Sequence, residues 1–258
     1  MDNLYQHFRK EEQPFIDQAL EWKSIVTEQY RPKLTDFLDP RERDILSAVI
    51  GGTGEIQVEF FGGFEESERK RALLYPEYYR PEQEDFQLQA FEVIYPEKFT
   101  SIGHRQLLGS LMGLGLKREK FGDLLISGET VQFICAKEIS SYVHMQFTQV
   151  GKTKVTVKEI SLGCIQSPDK HVERKDEIVS SLRLDVVCSA MTRQSRQKSQ
   201  ALIKSGAVKV NWRTLEDPSF TLEENDYLSV RGYGRYQLTS IEGKTKKDKW
   251  KLSIEKQL

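Results

Sequence analysis

Residues 183–215, RLDVVCSAMTRQSRQKSQALIKSGAVKVNWRTL, and residues 224–236, ENDYLSVRGYGRY, decide how this chain is read. Leu184, Val187, Cys188 and Met191 fall at i, i+3, i+4 and i+7, the spacing of a short amphipathic helix. Asp185 stands near its start, where a carboxylate suits the positive end of the helix dipole. Ser195 is placed to N-cap a second helix. On that helix Arg196, Gln197, Gln200 and Lys204 share one polar arc, while Ser199, Leu202 and Ile203 face the other way. Ser199 is small enough to let the two helices approach closely. Gly206 suits the residue just past the helix end, where a left-handed backbone is needed. Ala207, Val208 and Val210 begin a strand, Asn211 and Trp212 form a turn, and Tyr227, Leu228 and Val230 begin another strand. Arg231 and Arg235 flank a glycine-rich bend.

The unit predicted here is two helices on a small sheet, displaying Arg193, Arg196, Lys204, Lys209, Arg231 and Arg235, with Arg183 and Gln200 beside them. Arginine contacts phosphate through a planar fork and also stacks on bases. A helix that opens at Ser195 adds free backbone N–H groups. Together these suit structured RNA, recognised by shape and backbone.

Charge points the same way. The chain of 258 residues has a net charge of −1, from 38 Lys+Arg and 39 Asp+Glu. Residues 183–258 hold 15 of the basic and 9 of the acidic residues, so they carry +6 and the remainder −7. A basic segment on an acidic protein fits a polyanion partner.

Working towards the N-terminus, residues 166–180 are polar and read as a linker. Residues 55–165 show the order β-α-β-β-α-β of a split βαβ domain, ferredoxin-like or RRM-like. Alternating Ile56, Val58 and Phe60 and the segments RALLYP and FQLQAFEVIYP are extended. A helix follows over 100–115, with Leu107, Leu108, Leu111 and Leu114 on one side. FGDLLIS and ETVQFICA form a hairpin around Ser127-Gly128, a helix covers 137–147, and TKVTVKEI is the last strand. The strand ETVQFICA lacks the basic-glycine-aromatic pattern with which RRM domains stack bases, Phe133 excepted. A scaffold or docking role is expected for this domain. Residues 1–54 read as helical: Phe15, Ala19, Trp22 and Val26 share a face, Pro32 ends it, and Asp39-Pro40 starts a second helix that stops at Gly51-Gly52. The whole is an α+β multidomain chain: a helical N-terminal region at 1–54, a ferredoxin/RRM-like domain at 55–165, a linker at 166–180, and an αα-β domain at 181–258.

Combined, the string RLD…SRQKSQALIKSGAVKVNW…D…SVRGYGR resembles the S4 RNA-binding domain over about residues 183–236. That resemblance implies RNA-facing roles for Ser195, Arg196, Lys204, Lys209 and Asn211. Trp212 departs from it, because many members carry glycine there. FLDPRERDIL and FTSIGHRQLLGSLMGLGLKREKFGDLL extend the similarity to nearly the whole chain, which resembles the YlmH family of Gram-positive bacteria. The resemblance implies links to cell division and to ribosome quality control. It makes rRNA and tRNA on the large ribosomal subunit the expected partners, with division proteins as further candidates.

Enzymatic rivals are weaker. Asp185 in RLD resembles the catalytic aspartate motif of pseudouridine synthases, but those enzymes usually carry the S4 domain first. IGGTGE, GLGLK and RGYGR lack the strand–GxGxxG–helix setting of a nucleotide fold, and GDLLISGET has glutamate where a P-loop has lysine. Cys135, Cys164 and Cys188 form no CxxC, and His7, His104, His144 and His171 have no metal-ligand spacing, so neither a metal nor a cofactor is expected. His104, Arg105, Lys117 and Arg118, with basic charge at both ends of one helix, form a possible secondary nucleic-acid or partner contact. A division adaptor without RNA binding is the third reading. No apolar run of about 18 residues and no signal peptide is seen, so a cytoplasmic monomer without membrane contact is expected.

Overall fold

A computed structural model describes residue 8 and residues 12–51, 54–98, 100–166 and 172–257. The chain divides into two units, Met1–Pro168 and Asp169–Leu258. Each is built around its own apolar core.

In the first unit, α1 (Gln13–Gln29) buries Ile16, Ala19 and Val26, and Phe15 meets Trp22 edge-on at 5.8 Å. α2 (Pro40–Ile50) starts as the sequence predicts. The Asp39 side chain accepts from the Glu42 N–H at 2.9 Å, the Glu42 side chain accepts from the Asp39 N–H at 2.7 Å, and Pro40 opens the helix. Gly51 ends it; Gly52 lies outside the described residues. The Lys23 ammonium donates to the Val49 and Ile50 carbonyls at 3.0 and 3.1 Å, satisfying the exposed end of α2.

Between the helices runs a strand the sequence did not announce, β1 (Lys33–Leu38). It pairs antiparallel with β3 (Lys70–Pro76), which pairs in turn with β2 (Ile56–Phe61). β2 and β3, assigned from sequence to a domain beginning at 55, therefore join the N-terminal helices. The reason is burial: Ile56, Ala72 and Leu74 pack into the cluster of Ile16, Val26, Leu46 and Ile50.

The middle of the unit has the predicted order. β4 (Leu88–Ile94), β5 (Phe121–Ser127), β6 (Thr130–Ala136) and β9 (Thr156–Ile160) form an antiparallel sheet in the order β5-β6-β4-β9. This is the arrangement of a split βαβ fold. The helices α3 (His104–Met112) and α4 (Lys137–Gln146) supply Leu107, Leu111 and Val143 to the core on one face. The first residues of TKVTVKEI leave the sheet: β7 (Gln149–Val150) and β8 (Thr153–Lys154) make a small hairpin of their own.

Phe133, the one aromatic that could have stacked a base, is fully buried and lies 5.3 Å from the ring of Phe91. The other sheet face is closed as well. There Ala90, Ile134 and Ala136 meet Phe37, Phe64, Leu162 and Ile165. Phe37 seats against Gly122, where an added Cβ would stand 2.7 Å from its ring. Gly122→Ala is expected to overpack this junction and destabilise the chain by about 1–3 kcal/mol, measured by urea unfolding.

Two polar clamps complete the junction. Arg71, 5% exposed, donates to the Thr35 carbonyl at 2.7 Å and the Gln87 carbonyl at 3.0 Å, and pairs with Glu138 at 3.2 Å. The Asp123 carboxylate accepts from the N–H groups of Glu68 and Arg69 at 2.6 and 2.9 Å.

In the second unit, α5 (Leu184–Thr192) and α6 (Arg196–Lys204) cover one face of a six-stranded antiparallel sheet. Its strands are β10 (Val172–Val179), β11 (Val208–Val210), β12 (Arg213–Thr214), β13 (Tyr227–Val230), β14 (Gly234–Lys244) and β15 (Trp250–Gln257), in the order β10-β15-β14-β13-β11-β12. β10 corrects the expected linker at 166–180. It pairs with β15 from Val172↔Gln257 to Val179↔Trp250, so the sheet starts before residue 181. Residues 167–171 of that expected linker, with His171, lie outside the described residues, as does His7. VERKDEIV hides its strand character because it is an edge. Of its side chains only Val179 is buried, and five of the other seven are charged, a common protection of sheet edges; Val172 and Ile178 are the exposed apolar exceptions.

Candidate nucleic-acid interface

The two helices of the second unit meet at the residues the sequence marked for close approach. Ser199 and Cys188 are both fully buried. The Ser195 hydroxyl caps α6 by accepting from the Lys198 N–H at 3.3 Å. Gly206, at φ +67°, ends it. Its N–H reaches the Ile203 carbonyl, and the Ala207 N–H reaches Leu202, the Schellman pattern.

Between the helices lies the centre of the site. Asp185 is fully buried, and its carboxylate accepts from Arg183 at 3.2 Å, Arg196 at 2.9 Å and Gln200 at 2.6 Å. Burial would raise its pKa, but the bonds from Gln200, Arg183 and Arg196 outweigh burial and hold it down at about 2. The arginine side chains stay half-exposed, 41% for Arg183 and 54% for Arg196. One buried anion thus fixes two outward-facing guanidinium groups and an amide. Lys204 is exposed further along α6, as is Lys198, a cation the sequence reading passed over.

Arg193 follows α5 in a left-handed conformation, φ +54°. It lines a cleft of about 270 Å³ walled also by Glu173, Lys175, Glu177, Tyr233, Tyr236 and Lys256, in which Lys175 pairs with Glu173 at 2.6 Å. The Lys256 ammonium lies 5.8 Å over the Tyr236 ring. Lys175 was missed because it sits in the supposed linker. The two tyrosines were visible in VRGYGRY but carried no signal without the cleft.

Other expected contacts are placed elsewhere. Lys209, Ser229 and Arg235 line up across β11, β13 and β14, on the face turned away from buried Val208, Val210 and Leu228. The structure therefore separates Lys209 and Arg235 from the helix group; Arg231 is exposed in the turn between β13 and β14. Asn211 is occupied internally: its amide donates to Asp226 at 2.7 Å and accepts from the Tyr227 N–H at 2.9 Å. Asn211 and Trp212 take φ of +47° and +63°, the two-residue hairpin turn with both central residues left-handed. Trp212 replaces the usual glycine and lays its ring 5.5 Å from Tyr227.

The proposed secondary cluster is divided too. His104 and Arg105 open α3 and are exposed, as is Lys117. Arg118 instead turns inward, donating to the Phe121 carbonyl at 2.5 Å and the Gly122 carbonyl at 3.1 Å, with burial pulling its pKa down to about 10. It closes the start of β5. Among the described residues no three His, Cys, Asp or Glu side chains gather as a metal site requires, and no helix is long and apolar enough to cross a membrane.

Comparison with known proteins agrees with this anatomy. Residues 11–79 match the model "YlmH, N-terminal", residues 81–163 match "Putative RNA-binding domain in YlmH", and residues 182–227 match "S4 domain". The chain is 58% identical over 257 residues to "Ribosome-associated protein quality control protein P2" of Bacillus subtilis (strain 168), covering 100% of both chains. A solved structure, "Cell division protein ylmH from Streptococcus pneumoniae", is similar at 30% identity with a TM-score of 0.55, covering 62% of this chain and 96% of that one. With its three parts matched in order and a full-length relative at this identity, the chain belongs to the YlmH family.

Proposed function

We propose that this protein is a non-catalytic RNA-binding protein that grips rRNA or tRNA on the large ribosomal subunit and serves ribosome quality control. The observation that carries this reading is the Asp185 anchor, which fixes Arg183, Arg196 and Gln200 on one exposed surface beside Ser195 and the Arg193 cleft. Fixed guanidinium groups suit a phosphate backbone, because little side-chain freedom is lost on binding. The S4 match and the name of the Bacillus relative support the choice of ribosomal RNA. The cell-division name of the Streptococcus relative adds division proteins as further candidate partners. Asp185 speaks against a pseudouridine-synthase role: three donors already hold its buried carboxylate, which leaves no open position for attack on a base.

Crosslinking of bound RNA in cells, followed by sequencing, tests the reading. Wild-type chain should enrich rRNA or tRNA, and Arg196→Ala with Lys204→Ala should lose most of that enrichment. Lys198→Ala with Lys204→Ala, which leaves the Asp185 anchor intact, should weaken binding without altering thermal unfolding. Absence of any enriched RNA from the wild type overturns the proposal.

A further inference from the structure

We infer that the helical side of the middle domain is a second RNA-backbone surface, centred on Arg105, Lys152 and Lys154; this rests on the RNA-binding reading above.

The first observation is how charge is distributed. Residues 1–182 carry 23 Lys+Arg and 30 Asp+Glu. Within them, residues 98–118 and 139–158 contain no Asp or Glu at all, yet hold seven of the Lys and Arg. The other 141 residues of that span hold 16 basic and 30 acidic ones.

The fold then brings the two acid-free runs together. α3 belongs to the first and the β7–β8 hairpin to the second. The Gly151 N–H at the hairpin turn donates to the Ser110 hydroxyl of α3 at 3.1 Å, and the Thr100 and Thr153 hydroxyls lie 3.4 Å apart. Tyr142 of α4, 43% exposed, donates to the Leu114 carbonyl just beyond α3 at 3.2 Å. Lys98, Arg105, Lys152 and Lys154 are exposed around this contact. Among the described residues none of the four is in an ion pair, whereas Arg41, Arg71 and Lys120 of the same unit pair with Glu12, Glu138 and Asp36. Gathering unpaired cations in an otherwise acidic unit raises self-repulsion, which a polyanion would relieve.

The usual alternative is closed. RRM-like domains read RNA on the open sheet face, but here that face is covered by Phe37, Phe64, Leu162 and Ile165, and Phe133 points into the core. A middle domain matched by an RNA-binding family model is thus left with its helical side. Among the described residues Tyr142 is exposed there but belongs to no row of exposed aromatics, so contact is to phosphates rather than bases.

The test uses the full chain and purified large ribosomal subunits as the probe. Co-sedimentation across a salt series should show binding that weakens steeply as salt rises. Replacing Arg105, Lys152 and Lys154 with glutamine should lower the salt slope by roughly two to three and weaken binding about 10- to 100-fold at physiological salt. Ultraviolet crosslinking of the wild type should yield RNA-bound peptides from 98–118 or 139–158. An unchanged slope, or RNA adducts confined to 183–258, overturns this inference and leaves the RNA-binding reading standing. Subunit binding that survives both this triple change and Lys198→Ala with Lys204→Ala, without RNA adducts anywhere, overturns both. Unchanged thermal unfolding of the glutamine variant confirms that the surface alone was altered.

Discussion

Replacing Asp185 with alanine is expected to destabilise the second unit and to abolish most of its RNA binding. The carboxylate has no solvent exposure, and three donors converge on it. Removing one partner of a buried charged network costs about 3–5 kcal/mol when the remaining charges are trapped. Here Arg183 and Arg196 are half-exposed and can turn to water, so the loss should be smaller, roughly 2–3 kcal/mol by urea unfolding. The freed guanidinium groups would then sample many rotamers, and the ordering they lose should appear as weaker binding. Asp185→Asn separates the two effects: it keeps the shape and one acceptor, so stability should fall less than in the alanine variant while the arginines still loosen. If Asp185→Ala unfolds at the wild-type urea midpoint, the anchor contributes nothing and the account is wrong.

The same carboxylate predicts a pH dependence. Its pKa of about 2 in the folded chain lies below its ordinary 3.8. The group therefore binds protons less readily when folded, and its stabilising contribution is complete above about pH 4. That contribution, on the order of 2 kcal/mol, is lost as pH falls from 4 towards 2. Wild-type and Asp185→Asn stabilities should converge over that window, and parallel curves would refute the anchor.

Arg71→Met is expected to be among the most damaging single changes in the first unit, about 3–5 kcal/mol in urea unfolding. Methionine keeps the apolar stem but stops short of the guanidinium, so the loss combines the missing polar contacts with the space the buried head leaves. Arg71 is 5% exposed and joins the Thr35 carbonyl on β1, the Gln87 carbonyl before β4, and Glu138 on α4. Its removal leaves two carbonyls without this donor and Glu138 with Lys120 as its remaining ion-pair partner. Because these groups belong to the N-terminal sheet and the middle domain, the variant should also expose the sheet face that Phe37 covers. Faster proteolysis of the first unit, with the second unit left intact, would register this. A loss below about 1 kcal/mol would show that the clamp is dispensable.

Much of this molecule could be read from local signals. Asp39-Pro40 with Glu42, Ser195 and Gly206 mark helix ends because a cap needs only its own neighbours in sequence. The hairpin around Ser127-Gly128 and the order of the middle sheet follow from periodicity and turns, which are also local. β1 and β10 escaped notice for opposite reasons. β1 is a short insert whose buried residues, Thr35, Phe37 and Leu38, do not alternate, because both of its sides meet other parts of the unit. β10 is a charged edge whose partner lies at the far end of the chain.

For the interface, the sequence by itself determined the two-helix unit, its basic surface and its helix caps, since residue type and spacing suffice for these. Only the tertiary structure decided which cations face outward together. Arg118 turned inward because carbonyls at the start of β5 needed a donor, and Asn211 was taken up by the turn it supports. Lys209 and Arg235 went to the other sheet face because strand alternation sends neighbours of buried residues outward. Asp185, legible in sequence as a helix-start acid or as a likeness to a catalytic aspartate motif, became the anchor because two helices and Arg183 close over it, a convergence in space that no spacing along the chain encodes.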